Sequence, residues 1–240
     1  MILEPFAEGV WLSFAPASFL GLRFTSTMTV LRLSDGGLLV HSPVALTPER
    51  RRAVDSLGPV RHLYAPNVYH HLRIGDWSAA FPEARVHALR GLARKRRDLR
   101  IDRFHGSGPE PPFAGIIDEF PIRGFRLEET VLLYRPARTL VVADLVQNVG
   151  RPRHGWTRFY TQVMGFHDRV ALSRMIRLAA FPDRRAARCS IDALGAAPFE
   201  RVVVGHGAPL LTGARQALIE AYQWLPAVEI FGERNAPGKG

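Results

Sequence analysis

Short apolar runs alternate with polar turns along the first third of the chain. "GVWLSFA" (9–15), "TMTVLRL" (27–33) and "GLLVHS" (37–42) have the length and the β-branched and aromatic content of strands. "SDGG" (34–37) predicts a hairpin turn between the last two, because Asp-Gly tolerates positive φ. "TPERRRAVDSLG" (47–58) predicts a helix: Thr47 can cap it, Pro48 suits its first turn and Gly58 its exit. "VRHLYAP" (60–66) follows as a strand, so strand, helix and strand form a unit of layered α/β type.

The alternation continues. A helix is expected over 76–82, a strand over 84–89 and a helix over 91–99, before a Gly/Pro-rich insertion loop at 105–115. Strands are expected over 116–122, 130–134 and 138–144, then helices over 157–164, 168–181 and 183–194. "RVVVGHG" (201–207) reads as a last strand ending in a turn, and "GARQALIEAYQWL" (213–225) as an amphipathic helix. Residues 233–240 read as a frayed tail. Two strand-rich halves, each closing in helices, predict one domain over 1–240. It is a four-layer αββα sandwich, with two sheets packed together and helices outside.

Composition narrows the setting. The chain has 240 residues, 47% hydrophobic and 22% charged, as globular proteins do. No apolar run approaches the roughly 20 residues of a membrane span. The start, "MILEPFAEGV", lacks the features of a signal peptide, and the single Cys189 excludes an internal disulfide. A cytoplasmic location is expected, with Cys189 a buried, inert thiol on a helix. The net charge of +10 comes almost wholly from arginine, clustered at 88–103 and 182–190. Such charge can attract phosphate-bearing partners. No helix-turn-helix, finger or aromatic-interleaved basic motif accompanies it, so nucleic acid is not expected as a partner. A small, anionic molecule is, and no membrane.

The candidate chemistry gathers at strand ends. Asn67, Tyr69, His70 and His71 follow "RHLYAP", Asp144 follows "RTLVVA", His206 follows "RVVV", and His41-Ser42-Pro43 follows "GLLV". Loops after strands are where an α/β fold presents side chains to a shared crevice. Imidazoles and carboxylates are ligands for zinc or iron. Each residue alone has a structural role open to it. Asp144 can cap a turn, Asn67 can hold an Asx-turn with Tyr69 half-buried beside it, and His206 can simply sit between two permissive glycines. His62 and His87 fall within strands and His105 in the Gly/Pro loop. His154 follows Asp144 closely enough to reach the same crevice. No nucleophile elbow or phosphate-binding loop occurs.

In their order, the strand-end His pair, the strand-end Asp and the late Gly-His-Gly resemble the metallo-β-lactamase superfamily. More narrowly, "LLVHSPVAL", "APNVYHHL", "RTLVVADLVQN" and "VVVGHG" resemble a branch of it with no activity to carry over. The resemblance implies the αββα sandwich and a metal site. The superfamily's His-x-His-x-Asp-His loop is not intact. In one register His70-His71 stand where Asp-His belongs, and Pro66 and Val68 replace two histidines. In the other, Asn67 and Tyr69 replace those histidines and His71 the Asp. The first register leaves His70, His71, Asp144 and His206 converging on one metal position. Nothing matches the superfamily's middle His, since "GFRLEETVLLY" (124–134) offers only Glu128 and Glu129. His41 replaces an acidic residue, as an extra ligand or one that orients a ligand, and Asn67, Tyr69 and His154 are further candidates around the site.

Two functions follow. One is a hydrolase with a mononuclear divalent metal, zinc first, iron or manganese second. The other is a non-catalytic member of the fold, without metal, that binds a small anionic ligand or a protein partner.

Overall fold

A computed structural model describes residues 2–108 and 110–227. The expected frayed tail, 233–240, lies outside the described residues. Among the described residues, eleven strands form two sheets. The larger runs in chain order: β1 (Glu4–Ala7), β2 (Val10–Phe19), β3 (Leu22–Arg32), β4 (Leu38–His41), β5 (Val60–Tyr64), β6 (Arg85–Ala88) and β7 (Arg103–Phe104). Its first four strands are antiparallel, and β4 through β7 are parallel. The smaller sheet orders β11 (Arg201–Val203), β10 (Thr139–Val141), β9 (Thr130–Tyr134) and β8 (Ile117–Pro121). The described residues also form seven α-helices: α1 (Pro48–Asp55), α2 (Ile74–Ala80), α3 (Arg90–Lys95), α4 (Gly155–Val163), α5 (Arg174–Ala179), α6 (Arg184–Ala196) and α7 (Ala214–Ala221).

Period-two alternation sorts the strand side chains into layers. On β4, Leu38 and Val40 join a core with Val54 of α1, Trp77 of α2 and Leu92 of α3, whereas Leu39 faces the second sheet. On β9, Leu132 and Tyr134 meet that inter-sheet core, and Val131 and Leu133 face α6 and α7. There are thus three cores, helix on sheet, sheet on sheet and sheet on helix. This is the four-layer αββα sandwich expected from the sequence.

Local chemistry explains several boundaries. Thr47 accepts a hydrogen bond from the Arg50 amide at 3.2 Å and caps α1, with Pro48 in the first turn. The Asp35 carboxylate accepts from the Gly37 amide at 2.9 Å, fixing the turn before β4. The departures are physical too. The β2–β3 hairpin extends from Val10 to Arg32 with continuous pairing, well past the expected strands. Its outer half carries polar Ser18, Arg23 and Thr25 and exposed Phe19 and Leu20, and only Leu22 of it is buried, so the apolar alternation there is weak. The helix expected over 168–181 shrinks to α5. Cys189 is exposed, not buried: α6 buries Ala187, Ile191 and Leu194, and a residue two on from Ala187 faces the opposite side.

Candidate metal centre

Three loops meet at one end of the sandwich. The first follows β5, where Asn67 through Arg73 form turns before α2. The Asn67 side-chain oxygen accepts from the amides of Tyr69 and His70 at 2.9 and 2.8 Å, a tight Asx arrangement. It places His70 toward the loop after β10, which carries Asp144, and the turn after β11, which carries His206. In that last turn, a Cβ on Gly205 would press on the Ala143 carbonyl, and one on Gly207, at φ +102°, would collide with the Asn148 backbone. The Gly-His-Gly pattern therefore lets His206 lie against the Asp144 loop.

The ligand atoms converge. His70 Nε2 is 3.2 Å from His206 Nε2, and these nitrogens lie 3.4 and 3.5 Å from the same Asp144 oxygen, Oδ1. Bonds of about 2.0–2.1 Å to a tetrahedral metal put neighbouring ligand atoms about 3.3 Å apart, so the donor set fits one divalent ion. The outer ring atoms are tied down. His206 Nδ1 donates to the Thr25 carbonyl at 3.1 Å, which turns its Nε2 inward. His70 Nδ1 lies 2.6 Å from Ser42 Oγ. Ser42 is held at φ +53°, a conformation that is strained for serine and that supports the contact. Such outer partners fix ring orientation in metal sites.

Asp144 is supported in turn. Its Oδ2 accepts from the Asn67 amide group at 2.8 Å. Glu129, fully buried at the edge of β9, accepts from the Ala143 amide at 2.8 Å and the Asp144 amide at 2.7 Å. Burial raises the Asp144 pKa, but the charges and hydrogen bonds of His70 and His206 prevail and hold it well below the usual carboxylate range. For His70, burial lowers the pKa, and the Asp144 and Glu129 carboxylates reverse this to a net rise. Burial and the Asp144 charge push Glu129 up to about 7. Glu129 stands in the segment that offered no middle His. A lone acid before a strand gave no sequence signal of this role, which depends on the fold bringing residue 144 against it.

The remaining candidates separate. His71, adjacent to His70 on the turn, points the other way: its Nδ1 lies 3.2 Å from Arg96 Nη1. Burial and the charges of Lys95 and Arg96 lower its pKa to about 4. It is not among the groups whose ligand atoms converge. His41 is buried and stacked on Tyr64 at 5.8 Å, and the residue orienting His70 is its neighbour Ser42. Tyr69 is exposed, under the Lys95 ammonium, not half-buried. His154 caps α4 by accepting from the Thr157 amide. It also lines a cleft of about 270 Å³ with Arg23, Phe24, Thr25, Arg153 and Gly207, beside His206.

The fold is that of the metallo-β-lactamases. A metallo-β-lactamase from Pontibacter korlensis superposes with a TM-score of 0.65 at 12% identity, over 92% of this chain and 98% of that one. The DIM-1 metallo-β-lactamase gives 0.62 at 12% identity, over 92% and 95%. The Flv1 flavodiiron core from Synechocystis gives 0.65 at 14% identity, over 92% of this chain and 59% of the other. Within that fold, residues 11–92 match DUF4336, a domain of unknown function. No curated protein matches the sequence. Among the described residues, no helix is long and apolar enough to cross a membrane.

Proposed function

We propose that the chain is a metal-dependent hydrolase with a mononuclear site held by His70, Asp144 and His206. The observation that carries this is the convergence of two imidazole nitrogens and one carboxylate oxygen at mutual distances of 3.2–3.5 Å. Three protein ligands leave a position open for a substrate or water, the arrangement of catalytic rather than structural zinc sites. Bound there, a divalent metal supplies Lewis-acid polarisation of a substrate oxygen and acidifies water to a pKa of about 7.

The chain's own groups do the rest. Ser42 and the Thr25 carbonyl keep the two rings from rotating, and Asn67 and Glu129 hold Asp144. The cleft beside His206 brings Arg23 and Arg153 to the approach, so an anionic ester, thioester or phosphodiester fits its charge. Two histidines and one carboxylate also suit iron, and zinc is our first assignment.

A panel of small anionic esters, thioesters and phosphodiesters tests the proposal on zinc-loaded protein. Turnover is expected for one class and lost in His206→Ala, while Arg153→Ala raises KM several-fold with kcat kept. Anions that bind the cleft without turnover, unaffected by His206→Ala, would instead favour a non-catalytic binding protein.

A further inference from the structure

Helix α4 is inside out. Its fully buried positions are Thr157 and Thr161, and their hydroxyls are satisfied. Thr157 accepts from the Arg23 amide of β3 at 2.9 Å, and Thr161 donates to the Arg158 carbonyl at 2.9 Å. The solvent side carries Trp156, Phe159 and Val163, at 50%, 55% and 45% exposure. A helix normally turns its apolar stripe inward. Here the buried hydroxyls are paired, so the reversed orientation is built into the packing.

The tip of the β2–β3 hairpin extends the same face. Phe19 and Leu20 are 63% and 78% exposed, and the Trp156 indole donates to the Leu20 carbonyl at 3.2 Å. Leu20 sits at φ +49°, where leucine is strained and Asn or Gly is usual. A large apolar side chain thus occupies a strained, solvent-facing tip. Contiguous exposed apolar surface of this kind marks a docking site.

Charge selects the occupant. Residues 149–181 contain six arginines and one acidic residue, Asp168, and so supply half of the chain's net +10. Asp168 is already paired with Arg151 at 2.6 Å. Of these arginines, Arg158 lies on α4 and Arg174 donates to the Val163 carbonyl at its end, so two copies meeting through the α4 face would bring like charges together, whereas an anionic lipid surface would meet them with opposite charge. Aromatic side chains among arginines suit the headgroup boundary. We infer that the hairpin tip and the outer face of α4 dock the protein on anionic membrane surfaces. The absence of a spanning segment, on which the sequence expectation of no membrane partner rested, does not bear on surface docking. Docking at this face needs no metal, so it stands or falls apart from the hydrolase proposal.

Co-sedimentation with vesicles tests it. The full chain is expected to pellet with phosphatidylcholine vesicles containing about a third phosphatidylserine, less as salt rises, and to stay in solution with phosphatidylcholine alone. Leu20→Asn suits the positive φ, so its melting temperature is kept or raised while binding falls about tenfold. Phe159→Gln has a similar effect on binding, and Arg158→Glu weakens binding to anionic vesicles. Tryptophan emission shifts to the blue with anionic vesicles, and less so in Trp156→Phe. No pelleting with either vesicle, or equal pelleting with both, overturns the inference. So does a dimer in sedimentation velocity that Leu20→Asn dissociates, which would assign the face to a second copy.

Discussion

His70, Asp144 and His206 at the loop end of the sandwich, and His62, His87 and Glu110 between strands and sheet, each gather two imidazoles and a carboxylate with ligand atoms within 4.8 Å of one another. Their surroundings differ. In the loop group the outer nitrogens are anchored by Ser42 and Thr25, and the inner atoms face a common point. In the strand group, His62 Nδ1 and His87 Nε2 share a hydrogen bond at 2.8 Å. Both Glu110 oxygens are taken, by Arg85 and by Arg103, and Arg103 also holds Glu119 at 3.1 Å. Two guanidinium groups beside the imidazoles oppose a dication. Ligand count therefore does not define a metal site; the direction of the lone pairs and the sign of the neighbouring charges do.

The strand group is a neutral, buried polar cluster, and acid should break it first. Burial lowers His62 to about 4, His87 to about 2, and the nearby His41 and His105 to about 3. Unfolded, each binds a proton near 6.5. Their contribution to stability is thus complete above about pH 6.5 and lost as pH falls toward the folded values. Denaturant unfolding should show a loss on the order of 2 kcal/mol per histidine by pH 5. A stability that is flat from pH 7 to 5 would mean that these rings are charged in the fold.

Arg103→Met should be the most damaging single change there. It removes the buried cation that Glu110 and Glu119 share and leaves Glu110 with Arg85 alone, at about 3–5 kcal/mol by urea unfolding, with metal content unchanged. Ser42→Ala should do the reverse, weakening zinc about 10- to 100-fold by competition with a chelator while stability without metal barely moves. His71→Ala is the smallest expected effect. Its metal content should match wild type, and a loss would restore His71 as a ligand.

The two regions also differ in how far the sequence exposed them. The order of strand-end residues made His70, Asp144 and His206 legible, since each follows an apolar run that ends at a turn. The choice between His70 and His71 was not legible, because it depends on the Asn67 turn and on Arg96, 25 residues away. Glu129 was hidden for the same reason, as its partners are backbone amides of another strand end. The strand group was invisible: His62 and His87 look like ordinary strand positions until β5 and β6 pair and Glu110 folds over from the Gly/Pro loop. The four layers followed from alternation alone. The long hairpin did not, since only Leu22 of its outer half is buried, and a helical period in α4 does not say which face turns inward.

The central claim is that one of these two groups holds metal. Elemental analysis of untagged protein, incubated with zinc and freed of excess by gel filtration, tests it most directly in the wild type, His206→Ala and His62→Ala. About one equivalent in the wild type and in His62→Ala, with almost none in His206→Ala, is the predicted result. Metal retained in His206→Ala, or two equivalents of which His62→Ala loses one, would contradict it.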